Sequence, residues 1–483
     1  MKKPIVILLI FSILLSLNIS ASAASAESSM KYKTLPDGTL EITGYNGAQG
    51  KKPVIPSEIN GRKVTSIGKY AFMRKIVSVK IPSTVKVIKN EAFSTESLKS
   101  VRIPSSVKKI YSGAFASTKI TKIAIPSSVK KVGRGVFEDC KKLKKVVIKN
   151  GLKKISGRMF ASCKKLEKIV IPRSVKVIGE EAFEDCGLKV IKIGKGVKRI
   201  GKGAFSSYVG KPRLERFKVD KNNRYFSSAG GVLFNKDKTE LIAYPVNRGG
   251  GKNRSDSFKK VPKLSDEQKS KRAYTIPKSV KKLRKGAFTG SNVQKIVITG
   301  EIKQVSAEAF SSCEDLSEVT MEDGVESVGK NAFYDCFSLN TVNLPETLKT
   351  IEEGAFIYSG VEKINLPEGL ETIEKEAFLG CNFSEITIPK TVEAIGISAL
   401  GFEVGDCGVA DAPEKDFVIK GYKDTEAQRY AKNYGFEFKQ LMGLPEVGEH
   451  DFPIWIVISA CALFAGALAV VIVKLIGRKR KKK

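Results

Sequence analysis

Six of the eight cysteines, Cys140, Cys163, Cys186, Cys313, Cys336 and Cys381, stand three residues after a phenylalanine. Thiolates in such a series could ligate a metal or form disulfides, yet no Cys-x-x-Cys pair is present. A periodic cysteine packs as a small apolar side chain, so the sequence favours a core role and no metal site. Cys407 falls outside the pattern and Cys461 lies in an apolar stretch. The run Gly196-Val197-Lys198-Arg199-Ile200-Gly201-Lys202-Gly203 is close to a phosphate-binding loop, but Gly203 stands where Mg²⁺ coordination needs Ser or Thr. Paired carboxylates such as Glu180-Glu181 and Glu352-Glu353 recur in one register and read as a solvated face, not a glycosidase pair. His450 is the single histidine of 483 residues, which leaves no material for a histidine-based triad or zinc site. No acid, base and nucleophile converge, so the expectation is a non-enzyme without cofactor or metal.

One chemical feature is not demanded by packing. In a recurring Val-x-x-Ile segment the first x is Lys86, Lys108, Lys130, Lys153, Lys176 and Lys198, and again Lys281, whereas later copies carry Glu326, Lys349, Glu371 and Glu393. If equivalent positions stack at a strand spacing of about 4.8 Å, like charges repel by somewhat under about 1 kcal/mol per neighbouring pair in water. An anionic polymer relieves that repulsion; a solvated lysine-rich face is the competing reading.

The positioning element is a repeat. An Ala-Phe-like pair recurs with its Phe at 72, 93, 115, 137, 160, 183 and 205, then at 288, 310, 333, 356 and 378, with Leu400 as the last copy; the steps are 21 to 23 residues except across one insertion. Within a unit, x-Val-x-Ile-Pro alternates as a half-buried strand that proline ends, as at Pro82, Pro104, Pro126, Pro172 and Pro277. Val-x-x-Ile-Gly is a second short extended segment, and its glycine (Gly68, Gly179, Gly201, Gly329, Gly396) suggests backbone angles that a side chain resists. Ala-Phe-x-x-Cys-x-x-Leu predicts a short helix or 3₁₀ turn with Phe inward. One unit cannot bury its own apolar face, so about a dozen rungs stack into a β-rich solenoid about 60 Å long.

These residues resemble the BspA-like bacterial leucine-rich repeats, whose unit reads Ile-Pro-x-x-Val-x-x-Ile-Gly-x-x-Ala-Phe-x-x-Cys-x-x-Leu. The resemblance spans about 54 to 401 and implies a right-handed coil with a parallel sheet and short helical or 3₁₀ turns. Asp37 to Tyr45 looks like that family's N-terminal strand pair, and Phe417 to Phe438 like its C-terminal strand–helix–strand end. Residues 207–274 break the phase and read as a β-meander followed by a Gly-, Lys- and Ser-rich loop.

The ends give the address. Residues 1–26 read as a secretory signal peptide, with Lys2-Lys3, an apolar run and Ala24-Ser25-Ala26. Residues 454–476 are apolar and long enough for a transmembrane helix, and 477–483 form a basic cytoplasmic tail. Before that span, Leu444-Pro445-Glu446-Val447-Gly448 resembles the sorting motif of Gram-positive surface proteins, which a sortase cuts and joins to peptidoglycan; Val447 holds the position of that motif's Thr. Cell-wall anchoring and single-pass membrane anchoring both place 27–443 outside the cell. The resulting order is signal peptide 1–26, N-terminal cap 27–53, repeat block 1 at 54–206, insertion 207–274, repeat block 2 at 275–401, C-terminal cap 402–443, sorting motif and spacer 444–453, span 454–476 and tail.

Charge is uneven along this order. Residues 101–200 hold 26 Lys/Arg against 7 Asp/Glu, whereas 301–400 hold 6 against 19. The expected function is a cell-surface-anchored repeat protein that binds proteins or glycans in adhesion, a role the resemblance also implies. Its partner is a host or neighbouring-cell macromolecule, with the basic face turned to an anionic polymer or glycan. The alternative is a wall stalk without a dedicated ligand. Nucleic acid is disfavoured by export and by the lack of an aromatic stacking pattern.

Overall fold

The computed structural model describes residues 27–208, 213–248, 272–405 and 410–442. The expected sorting motif at 444–448 and the apolar span at 454–476 lie outside them. Among the described residues no helix is long and apolar enough to cross a membrane.

Each repeat contributes two short strands to two separate parallel ladders. The first ladder runs through Val-x-x-Ile: Arg62–Ile67, Val87–Ile88, Lys109–Ile110 and Lys131–Val132 pair in order, and Lys154–Ile155, Val177–Ile178 and Arg199–Ile200 form a second run. The other ladder precedes the Ile-Pro corner, as where Lys122–Ile125 pairs with Lys145–Ile148. Such strands form because β-branched residues alternate with exposed polar ones, giving the burial pattern exposed–buried–exposed–buried in both of those strands.

On the third side the Ala-Phe segments meet backbone to backbone. The Phe93 N–H donates to Ala114 O at 2.9 Å and Phe160 N–H to Ala182 O at 3.0 Å, so the turn is tied to the next rung as tightly as to itself. This is why, of the expected short helix or 3₁₀ turn, the segment forms isolated i→i+3 turns, such as Ala116 N–H to Gly113 O. An α-helix, Glu426–Tyr434, lies in the C-terminal cap.

The glycine expectation also changes. Gly201 is not in a left-handed conformation; a Cβ there would stand 2.4 Å from Glu180 N, so glycine is required by close packing of one rung on the next. The left-handed residue comes two places later, immediately before Ala-Phe: Gly203 (φ 57°) in that rung, but Glu181 (φ 53°) and Glu308 (φ 56°) in others.

Phenylalanine rings form the spine of the core. Tyr45, Phe72, Phe93, Phe115, Phe137, Phe160, Phe183 and Phe205 stack with centroids 5.0–6.0 Å apart. The column ends against Phe217, whose ring turns to 65°. A second column runs from Phe288 through Phe310, Phe333 and Phe356 to Phe378. The insertion bridges them. Phe226–Ala229, Val232–Asn235 and Glu240–Ala243 form an antiparallel meander, and its last strand pairs in parallel with Lys282–Leu283 of block 2. Tyr244 then supplies the ring on which Phe288 stacks, 4.7 Å away.

The stack is closed at both ends. Met30–Thr34 and Leu40–Tyr45 form an antiparallel hairpin over the first rung, and Val418–Gly421, the helix and Glu437–Gln440 cover the last. Each end strand thereby loses the open edge that would template aggregation.

Candidate binding surface

The ladder that carries Val-x-x-Ile places its lysines directly over one another. Lys108 N–H donates to Lys86 O at 2.8 Å and Lys130 N–H to Lys108 O at 2.9 Å; Lys176 N–H donates to Lys153 O and Lys198 N–H to Lys176 O, both at 2.8 Å. The row is thus two runs, Lys86–Lys108–Lys130 and Lys153–Lys176–Lys198. The break falls where the chain turns through Lys149-Asn150-Gly151 instead of the usual Ile-Pro corner, with Gly151 N–H tied to Ser174 Oγ. Lys86, Lys108, Lys130, Lys153 and Lys198 are exposed and Lys176 is half-buried.

Among the described residues none of these six lysines lies within 4.0 Å of a carboxylate. Lys130 Nζ donates to Ser127 O, and Lys198 Nζ stands 5.7 Å over the Tyr225 ring. A neighbouring row, absent from the sequence expectation, runs beside the first: Lys109 registers with Lys131 in one run, and Lys154, Val177 and Arg199 follow in the other. The other ladder repeats the chemistry, since Lys122 and Lys145 are in register and Lys168 bridges to Lys145. A depression of about 420 Å³ lies there between Arg102, Lys122, Lys145 and Lys149, floored in part by exposed Val147.

Block 2 uses the same registers differently. Lys303 pairs with Glu326 at 3.0 Å and Lys349 with Glu371 at 2.9 Å, each one rung away. In its other ladder Lys295 pairs with Glu318. The bond and charge of Glu371 hold the Lys349 ammonium above its ordinary pKa.

The remaining chemical candidates have structural duties. Cys140, Cys163, Cys313, Cys336 and Cys381 are buried, and each thiol donates to the carbonyl of a repeat Phe one rung back, at 3.1 or 3.2 Å. Burial pushes Cys140 up to about 11 and Cys313 and Cys381 up to about 12, so they stay as thiols rather than metal-binding thiolates. In the phosphate-loop-like segment the amides of Lys198 and Gly201 are spent on the preceding rung, leaving no cradle of free N–H groups. Glu181 accepts from Arg134 and Arg158, and Glu352 from Gln304 and the Lys330 amide, so these carboxylates hold rungs together.

A sequence model for BspA type leucine-rich repeat regions, in six copies, matches residues 65–189, 153–235 and 272–402, more than half of the chain. The chain belongs to the BspA-type leucine-rich repeat family. Among solved structures, a leucine-rich cell surface protein from Faecalibacterium prausnitzii is 27% identical, covering 77% of this chain and 94% of its own, with a TM-score of 0.55. The pneumococcal vaccine antigen PcpA is 21% identical over 86% of this chain and 98% of its own, with a TM-score of 0.49. A leucine-rich repeat protein from Eubacterium ventriosum is 23% identical over 75% and 95%, with a TM-score of 0.41. No match is found among curated proteins. The Phe, Cys and Gly series are accounted for as scaffold, and the lysine rows stand on its surface.

Proposed function

We propose that the protein is a cell-surface, non-enzymatic binding solenoid that engages an anionic macromolecule along the lysine rows of block 1. The observation that carries this is the contrast at identical registers: block 1 stacks lysine on lysine without carboxylate partners, whereas block 2 pairs Lys303 with Glu326 and Lys349 with Glu371. Stacked like charges are retained at a cost in self-repulsion, and a polyanion such as a wall teichoic acid or a sulfated or sialylated glycan removes that cost over many weak contacts. Surface display is supported by the expected signal peptide at 1–26 and by the likeness to the Faecalibacterium prausnitzii leucine-rich cell surface protein.

Binding of residues 27–443 to such polymers, measured across a salt series, tests the reading. Affinity should fall steeply with salt and should drop at least tenfold when Lys108, Lys130, Lys153 and Lys176 are all changed to Glu. Salt-independent binding, or binding that survives those changes, overturns it and favours a stalk without a dedicated ligand.

We further propose attachment through the C-terminal segment, with Val447 as the residue joined to the wall by a sortase. Mass spectrometry of wall-released protein should find chains ending at Val447; chains retaining 454–483 would instead show a membrane anchor.

A further inference from the structure

The turn after each repeat Phe has a full form and a short one. Cys140-Lys141-Lys142-Leu143 and Cys163-Lys164-Lys165-Leu166 are full turns, each closed by a bond from the Leu amide to the Cys carbonyl, at 2.9 and 3.0 Å. The next copy, Cys186-Gly187-Leu188, is one residue shorter. Gly187 N–H donates to Cys163 O, and a Cβ on Gly187 would stand 2.4 Å from Lys164 O, so the short turn is drawn against the rung before it. The next chain to pack here is the insertion, which contributes Leu214 and Val246.

Between them lies a cavity of about 430 Å³, within the range of small-molecule sites. Its floor is apolar: Phe183, Leu188, Phe205, Leu214 and Val246 all line it. Its rim is cationic, with Lys141, Lys142, Lys164, Lys165 and Arg213. Lys141 pairs with Asp139 and Arg213 with Glu167, but Lys142, Lys164 and Lys165 have no carboxylate within 4.0 Å among the described residues. The one acid in the lining, Asp185, accepts from Ser207 Oγ at 2.8 Å and from the Tyr208 amide at 3.0 Å. Cys186, alone among the described cysteines, is partly exposed, and it lines this cavity.

We propose that the cavity binds an amphipathic anion: an acyl chain lying against Phe183, Phe205 and Leu214, with a terminal carboxylate or phosphate held by Lys142, Lys164 and Lys165. Apolar surface and unpaired ammonium groups meet here in a volume suited to a single chain, which a polymer on the lysine rows does not require. Block 2 supplies the contrast. Its short turn Cys381-Asn382-Phe383 also borders a cavity, but the charged residues lining that one are Glu403 and Glu414.

The test is calorimetric titration of residues 27–443, a stack closed by its own caps, with dodecanoate and dodecyl phosphate below their micelle concentrations and dodecanol below its solubility limit. One equivalent of either anion should bind, dodecanol should bind at least tenfold more weakly, and decanoate roughly tenfold more weakly than dodecanoate. The Lys164→Glu/Lys165→Glu pair should weaken both anions at least tenfold and leave dodecanol unchanged. Leu214→Trp, which fills the cavity, should abolish binding, with the thermal transition confirming the fold. Should that variant unfold, alkylation of Cys186 in the unaltered chain, followed by peptide mass spectrometry, gives the same answer: dodecanoate should slow it. Equal affinity for dodecanol and dodecanoate, an unchanged affinity in the double Glu variant, or unprotected Cys186 overturns the proposal. None of these outcomes bears on polymer binding, which Lys108, Lys130, Lys153 and Lys176 report separately.

Discussion

Block 1 and block 2 are the same machine with opposite coats. Both stack a phenylalanine per rung, at 5.7 Å on each side of Phe160 and 5.1 Å on each side of Phe333. Both cap repeat carbonyls with cysteine thiols, as Cys163 and Cys336 do at 3.2 Å. They differ at exposed registers, where the core makes no demand: lysine above lysine in one, lysine above glutamate in the other. Core packing and surface charge are therefore set by different residues in this fold, and a partner-specific surface can be written on one half without disturbing the other.

The core should break the comparison first and hardest. Phe160→Ala and Phe333→Ala each remove a fully buried ring from a column, and each should cost about 3–5 kcal/mol. The two blocks form separate apolar clusters, divided where Phe205 meets Phe217 edge-on and where Tyr244 begins the second column. Because a solenoid's coupling is between nearest neighbours, the two substitutions should lower different parts of the urea transition. Fluorescence and circular dichroism followed against urea check this; an identical shift of one single transition would show that the insertion couples the blocks fully.

Smaller effects should follow from exchanging the coats. Lys130→Glu in block 1 places a carboxylate one rung from Lys108, reproducing the block 2 pattern. It should raise stability by about 0.2–1 kcal/mol at low salt and by less at high salt, as exposed pairs do. Thermal melts at two ionic strengths measure it. A lysine row that gains nothing from an inserted glutamate would mean that its charges are already far enough apart to be solvated independently.

The scaffold was legible in the sequence because its constraints repeat. The Phe series, the Ile-Pro corners and the Cys positions recur in phase, and a residue that must be buried in every rung shows itself by its period. What departs from the period was harder to read. The lysine row, continuous in the sequence, splits into two hydrogen-bonded runs at Lys149-Asn150-Gly151, where Gly151 N–H is tied to Ser174 Oγ. The second row at Lys109, Lys131, Lys154 and Arg199 becomes visible once pairing register is known. Of the short helix or 3₁₀ turn expected at Ala-Phe, only the i→i+3 turn forms, because the competing acceptor, a carbonyl of the next rung, is remote in sequence. The cavity at Gly187 needs two elements, a shortened turn and the insertion, whose meeting no local pattern announces. Tyr244 taking a Phe position is of the same kind, since it lies outside the repeat.

The junction between the blocks carries the smallest and most pH-sensitive effect. Glu308 of block 2 accepts from Lys285 of its own block at 2.9 Å and faces Lys202 of block 1 at 3.4 Å. Burial works to raise its pKa, but the bond and charge of Lys285, with the charge of Lys202, outweigh it and hold the carboxyl below its ordinary value. A carboxylate depressed in the folded state contributes stability that is complete above its ordinary value and is lost as pH falls through the depressed one. The carboxylate is 27% exposed and its lysines more so, and the contribution should stay under about 1 kcal/mol. Glu308→Gln should therefore reduce stability at neutral pH and have progressively less effect as the pH is lowered past the usual carboxylate range. Urea titrations at pH 7 and pH 3 measure the two ends. If the same charge is what seats block 2 on block 1, the loss should appear in the coupling between the two transitions, not in the midpoint of either Phe column; a shift confined to the block 2 transition would place the role of Glu308 within block 2 alone.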